Sequence, residues 1–277
     1  MPTTPFVLAL CAAFVHAGWN LLISRARDSE AATGVAVVAG TLLFIPVAAA
    51  TWQVGTKALP YAAGSATLEL LYLSLLARAY QEGELSVVYP VARGSSPLLI
   101  LIFSVAVLGV TLDAWSILGV CLVAIGVVLV RGPGGTASAR DLRMALLIGV
   151  LIAGYTLLDK QGLKYAHPLA YLMLAVGVPG LVYVALLARR RGADALRAEL
   201  NVASVLTGLG MFGAYGLVLA AIRLAPSSAV PAVQAVRETS VVIAVVLARV
   251  LLNERVTGPR LAGAAVVVAG VAAIAIA

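Results

Sequence analysis

Apolar residues run along this chain in blocks of membrane length, and most charged residues gather in the short breaks between them. A helix needs about 20 apolar residues to cross the hydrocarbon core of a bilayer. Blocks of that order lie near Pro5–Ile23, Ala31–Trp52, Leu59–Tyr80, Leu85–Leu108 and Ala114–Val130. After the break RGPGGTASARD come Leu142–Leu158, Pro168–Ala188, Ala203–Leu224, Ser227–Leu252 and Arg260–Ile276. The pattern predicts an all-α membrane protein of ten transmembrane helices, with no soluble domain. Composition agrees, because 62% of the 277 residues are hydrophobic, 11% are charged and the mean hydropathy is +1.05. A soluble domain has about 25% charged residues, so this chain has too few to cover a surface facing water. The opening stretch lacks the positive charge that starts a secretory signal, and its apolar run carries His16 and Asn20. It reads as a retained first helix.

The two sets of five blocks are related to each other. AGWNLLIS (Ala17–Ser24) matches AGYTLLDK (Ala153–Lys160), and RGSSPLLILIFSVAVL from Arg93 matches RETSVVIAVVLARVLL from Arg237. Continued without a gap, the second alignment sets Gly119 on Gly263 and Gly126 on Gly270, with Tyr72 within one residue of Tyr215. An odd number of spans in each half makes the second half enter from the opposite side. The expectation is two inverted five-helix repeats, residues 1–131 and 142–277, joined by a loop at 132–141. Transporters built this way place their site near the midplane, where the halves meet.

Arg93 and Arg237 stand at matching places inside their spans. A charge at the centre of a spanning helix costs roughly 2.5–3.5 kcal/mol on insertion scales, so each arginine should face the space between the halves. Ser86, Tyr89, Arg93 and Ser96 form a helical stripe on the fourth span, and Gln234, Arg237 and Glu238 share a face of the ninth. Two roles are open to the arginines. They lock the bundle, with Glu238 partnering Arg237 and Glu69 reaching Arg93, or their guanidinium forks read a carboxylate or phosphate on a solute. On the first span His16, Trp19 and Asn20 lie on one face, as Tyr155 and Asp159 do on the sixth. Trp19 and Tyr155 are repeat-related and either flank a ligand or anchor at the interface. The expected substrate-binding set is therefore Trp19, Asn20, Tyr72, Tyr89, Arg93, Tyr155, Tyr215, Gln234 and Arg237.

Coupling falls to Glu238, Asp159 and His16. Glu238 leads this group because Gly94 stands at its place in the first half. Pro90, Pro97 and Pro231 interrupt the spans that carry the arginines. Gly119, Gly126, Gly263 and Gly270 read as close helix packing, and their spans, the fifth and tenth, also offer a homodimer surface. Cys11 and Cys121 read as small apolar packers.

HAGWN on the first span, YPVARG on the fourth, AGYTLLDKQG on the sixth, AYGLVLAA on the eighth and VRETSVV with LLNERV on the ninth and tenth resemble an EamA-type transporter of the drug/metabolite transporter superfamily. The resemblance covers essentially the whole chain. It implies ten helices, a central cavity, and export or exchange of small organic solutes. Glu254 of LLNERV has no counterpart in the first half, where VLGVTL stands.

Function classes narrow accordingly. There is no nucleotide-binding P-loop, HExxH or GxSxG, so no enzyme, cofactor or metal site is expected. The net charge of +7 sits at the ends of apolar runs, which marks membrane topology rather than nucleic-acid binding. The reading is a secondary transporter in the cytoplasmic membrane. It would move small organic metabolites, anionic or zwitterionic, by alternating access. A flippase for a lipid carrier or lipid-linked sugar is the alternative. Eleven arginines fall in the odd-numbered connections against four basic residues in the even ones. The positive-inside rule then puts both termini outside the cytoplasm, whereas the resemblance implies cytoplasmic termini.

Overall fold

A computed structural model of the protein describes residues 1–82, 85–107, 109–130, 138–251 and 257–277. The side chains of residues 77–82, 85–87, 89, 90, 248 and 251 lie outside that description, so Ser86, Tyr89, Pro90 and Glu254 cannot be placed. The first half forms α1 (Thr3–Ile23), α2 (Ser29–Ala50), α3 (Leu59–Glu82), α4 (Leu85–Ala106) and α5 (Ala114–Val130). The second forms α6 (Ala139–Gly162), α7 (Pro168–Leu172), α8 (Val178–Arg191), α9 (Ala193–Ala198), α10 (Val202–Leu224), α11 (Val230–Arg237), α12 (Ser240–Leu251) and α13 (Gly258–Ile276). Among the described residues, eight helical spans are long and apolar enough to cross a membrane, and Val91–Ala106 and Ala114–Val130 are shorter apolar helices.

The starts of several helices follow from local chemistry. The Asp28 carboxylate accepts from the Ala31 amide to cap α2, and Asn201 caps α10 through the Ser204 amide. Ser138 and Asp141 form a reciprocal capping box at α6, which satisfies two amides that the first turn leaves without helical partners. Gly192, at φ +82°, turns the chain between α8 and α9, a conformation that costs glycine little. That turn lies in the polar stretch RRRGADALRAELN, where the short helix α9 forms.

Two spans are less regular than their apolar runs suggest. In the seventh, Met173–Gly177 winds as a single π turn between α7 and α8. In the ninth, α11 ends at Arg237 and α12 begins at Ser240. Glu238 and Thr239 between them donate their amides to carbonyls three residues back, a tightened turn within the span. The prolines do not cause this break. Pro231 sits in the first turn of α11, where a missing amide is harmless, and α4 continues through Pro97.

Packing repeats between the halves. α1 lies against α10 as α6 lies against α3, while α5 pairs with α13 and α2 with α8. Gly119, Gly126, Gly263 and Gly270 all face each other across the α5–α13 seam. A Cβ on Gly126 would sit 2.8 Å from the Gly263 carbonyl oxygen, and one on Gly270 would sit 2.7 Å from that of Gly119. These glycines pack α5 against α13 within one chain.

Polarity is inverted relative to a water-soluble fold. Leu42, Ile125 and Val182 stand exposed on the perimeter, whereas Glu69, Arg93, Asp159, Arg237 and Glu238 are buried. Such an arrangement suits a hydrocarbon solvent. Cys11 is also exposed, so it is not a core packer.

Candidate functional site

The buried polar residues form two adjoining groups between the repeats. In the first, Arg93 of α4 places Nε 2.9 Å from Glu238 Oε2, with the two side chains 5% and 0% exposed. Gln234, one turn earlier on α11, donates from Nε2 to Glu238 Oε1 at 3.3 Å. The Arg93 Nη2 lies 3.2 Å from His16 Nε2 on α1. A guanidinium can only donate, so His16 accepts at that nitrogen. The His16 ring meets Trp19 edge-on, centroids 4.7 Å apart. Three helices, α1, α4 and α11, and the turn after α11 thus converge on one ion pair.

This geometry corrects two expected pairings. Glu238 binds Arg93 of the other repeat, not its neighbour Arg237. Glu238 keeps its contact with Gln234 of the ninth-span stripe while its other oxygen reaches Arg93 across the interface. Glu69 does not serve Arg93; it belongs to the second group.

In that group Asp159 of α6 is held at both oxygens. Ser65 Oγ of α3 donates to Oδ1 at 2.6 Å, and the Tyr215 hydroxyl of α10 donates to Oδ2 at 2.9 Å. Glu69, one turn beyond Ser65 on α3, is buried on the same side of that helix, beside this group. Three tyrosines line up beside these carboxyls. Tyr72 meets Tyr155 with ring centroids 6.2 Å apart, and Tyr155 meets Tyr215 at 6.4 Å. The row ends at Arg237, whose guanidinium carbon lies 5.8 Å over the Tyr215 ring. Among the described residues no carboxylate lies within ion-pair distance of Arg237, although the side chain is buried. A cation over an aromatic face gains about 0.5–2 kcal/mol, which leaves its hydrogen-bonding edge available.

The structure therefore brings together Tyr72, Tyr155, Tyr215, Asp159 and Arg237 in one group, and Arg93, Gln234, Glu238 and His16 in the other. Tyr155 is buried, which removes interfacial anchoring as its role. Trp19 packs against Gly210 of α10, beside His16. Asn20 turns its amide back to the His16 carbonyl at 2.8 Å. Thr156, its repeat partner, does the same to Ile152 at 2.7 Å, so this position serves its own helix in both halves. Sequence reasoning did not single out Ser65 or Lys160, and it misplaced Glu69. The spacing of Ser65 and Glu69 four apart in an apolar span was the available signal.

The two ends of the bundle differ. At the α6 end, Lys160 Nζ donates to the Ile222 carbonyl at 2.8 Å and also to that of Ala225, closing α6 onto the end of α10. Nearby, Gly55 donates to the Tyr165 carbonyl and His167 to that of Gln53, each at 2.8 Å. At the α1 end a cavity of about 420 Å³ opens, lined in part by Arg25, Arg27, Glu199, Asn201, Ser204 and Thr207.

A bundle of membrane-length helices with charged side chains buried at its centre is consistent with a membrane transporter. The model of the EamA-like transporter family matches residues 3–132 and again residues 142–276. The chain belongs to that family, and with it to the drug/metabolite transporter superfamily, whose members are transporters rather than enzymes. No curated protein sequence matches it. A solved structure titled "Crystal structure of protein" is 15% identical with a TM-score of 0.75, covering 100% of this chain and 99% of that one. At that identity the likeness concerns the fold alone.

Proposed function

We propose that the protein is a secondary transporter of the cytoplasmic membrane, an exporter or exchanger of small organic metabolites that are anionic or zwitterionic. Its ten spans work as two inverted repeats, residues 1–131 and 142–277, with 132–141 as the connecting loop. The solute lies between the repeats along the tyrosine row, with its anionic group on Arg237 and its apolar part against Tyr72, Tyr155 and Tyr215. The observation that carries this reading is Arg237, a buried guanidinium that lies over an aromatic ring and, among the described residues, within ion-pair distance of no carboxylate. A bound anion would supply the partner its fork lacks. Arg93, by contrast, is already held by Glu238 and joins the repeats.

The proposed route is alternating access. With the Lys160 closure in place, solute reaches the centre from the α1 end. Exchange of that closure for one at the α1 end would release solute on the other side. The test is uptake into proteoliposomes of a mixed metabolite extract, read by mass spectrometry. Saturable, selective accumulation of acidic or zwitterionic compounds is expected, and it should be lost in Arg237→Gln. Accumulation of neutral or purely cationic compounds that survives Arg237→Gln would refute the assignment.

A further inference from the structure

The cavity at the α1 end is built apart from the two buried polar groups. Among the described residues, its lining includes no member of either. Its volume of about 420 Å³ lies in the range of pockets that hold small molecules, about 300–1,000 Å³. Part of the wall is the connection from α1 to α2, where Arg25, Ala26 and Arg27 follow one another. Another part is Glu199 and the start of α10, with Ser204 and Thr207. The two halves of the chain therefore share this space.

Positive charge is in excess in this lining. Among the described residues, neither Arg25 nor Arg27 has a hydrogen bond or ion pair. The carboxylates of the neighbouring connections are already engaged. Arg191 binds Asp28 and Glu30, and Arg197 binds Asp194. Glu199, the acid in the lining, is buried and accepts from the Asp28 amide at 3.0 Å. Two guanidiniums thus stand against one carboxylate. The lining also takes in Asn201, Ala203 and Ser204 at the start of α10, where the helix dipole is positive. An exposed arginine is ordinarily satisfied by water, as Arg189 and Arg190 at the end of α8 can be. Arg25 and Arg27 differ from those two in lining one concave space together.

We infer that this cavity is a binding site for a phosphate group carried on a small organic moiety, with Arg25 and Arg27 as its two donors. A carboxylate has two oxygens and is filled by one guanidinium fork, whereas a phosphate group can take two forks at once. The hydroxyls of Ser204 and Thr207 already donate to the carbonyls of Glu199 and Ala203, so the arginines carry the recognition. Leu22, Ile23 and Ala32 make another part of the wall apolar, which suits the carbon skeleton of a phosphate ester. Two sources offer that chemistry at a membrane surface, the headgroup of an anionic phospholipid and a free phosphorylated compound. From either source, the bound group links the α1–α2 connection of the first repeat to the start of α10 in the second. The site stands independently of the tyrosine row.

Purified protein in nanodiscs of neutral phosphatidylcholine is the material for the test. Calorimetric titration with glycerol phosphate reads the free compound. Discs doped with phosphatidylglycerol, followed by native mass spectrometry of the lipid that stays bound, read the headgroup. Saturable binding of a single glycerol phosphate, or retention of a single phosphatidylglycerol, is expected. Arg25→Gln and Arg27→Gln should each weaken it by about tenfold or more, the loss of a charge-assisted contact. Their melting temperatures should change little, because both side chains are exposed. Arg189→Gln removes an exposed arginine outside the lining and should leave binding unchanged. Sodium acetate at equal ionic strength should not compete. Glycerol phosphate binding that phosphatidylglycerol leaves intact assigns the site to a free compound, and lipid retention that blocks it assigns the site to the headgroup. Failure of both probes, binding unchanged in both cavity variants, an equal loss in Arg189→Gln, or competition by acetate would overturn the inference. Each readout is taken without transport, so its outcome is separate from that of the solute assignment.

Discussion

Arg93 Nε and Glu238 Oε2 lie 2.9 Å apart, and the two residues come from different repeats. Both side chains are almost wholly enclosed, so the pair bolts α4 to the turn between α11 and α12 in a medium that screens it little. Removing one partner of a buried ion pair typically costs about 3–5 kcal/mol, because the other charge is stranded. Glu238→Gln and Arg93→Met should each lower the melting temperature of the purified protein by a clear margin. The double variant Arg93→Met with Glu238→Leu should recover most of that loss, since apolar replacement of a whole buried pair is often neutral. Thermal unfolding in detergent decides the matter. Additive losses in the double variant would mean that the two residues do not act as a pair.

The matching arginines should respond differently to lysine. Arg237 sits over Tyr215 with no carboxylate on its fork among the described residues, and Arg93 is engaged by Glu238 and His16. Arg237→Lys keeps the charge but loses the planar two-point contact. Solute affinity should fall by about tenfold or more, one lost charge-assisted contact being worth roughly 1.5–3 kcal/mol, with little change in melting temperature. Arg93→Lys should show the reverse, a lower melting temperature with near-normal affinity in the folded fraction. Comparing binding and unfolding for the two variants checks this, and identical behaviour would refute the division of roles.

Much of this architecture is legible in the sequence, because a membrane span declares itself by length and apolarity alone. The repeat was visible through Arg93 with Arg237 and through the paired glycines, whose close approach at the α5–α13 seam follows from having no Cβ. The pairings were not legible. Adjacency along a helix suggested Glu238 for Arg237, but the carboxylate reaches Arg93 of the opposite repeat, a pairing that only the docking of α4 against α11 supplies. Glu69 was visible as a buried acid, yet only the docking of α3 on α6 brings it to Asp159. Helical spacing tells which residues share a face. It does not tell which face of which helix lies opposite.

Outside the membrane-spanning segments, Asp28 gives a pH signature. Burial pushes its carboxyl up, but the hydrogen bonds from Arg191 and the Ala31 amide outweigh that and hold it below the ordinary value of 3.8. A carboxyl lowered in the folded state binds protons more readily when unfolded. Its stabilisation is thus full above the unfolded value and lost as pH falls through the folded one. Wild-type stability should drop on acidification below about pH 4, and Asp28→Asn should flatten part of that drop while costing stability at neutral pH. Because Asp28 and Arg191 are partly exposed to solvent, the effect should be small and weaken with salt. Melting curves across pH at two ionic strengths test it; an unchanged acid slope in the variant would exclude this pair as a contributor.

The sidedness of the connections is the last prediction, and contacts between them define it. Arg191, at the end of the seventh span, bonds to Asp28 and to Glu30 at 2.9 Å, and Glu199 accepts from the Asp28 amide at 3.0 Å. The first and seventh connections must therefore share a face of the membrane. The second and sixth share the other, where Val54 bridges Ala166 in antiparallel fashion and Tyr61 stacks on Tyr165. The arginine-rich connections are on the first of these faces, which the positive-inside rule assigns to the cytoplasm. Both termini then lie outside it, and the cavity at the α1 end opens inward. Single cysteines at Arg27, Leu200, Gln53 and Tyr165, in a background without Cys11 and Cys121, can be labelled with an impermeant thiol reagent in intact cells. Gln53 and Tyr165 should label, and Arg27 and Leu200 should label only after permeabilisation. Labelling of Arg27 and Leu200 from outside would reverse the orientation while leaving the pairing of connections intact. Labelling of one member of a pair without the other would contradict the fold itself.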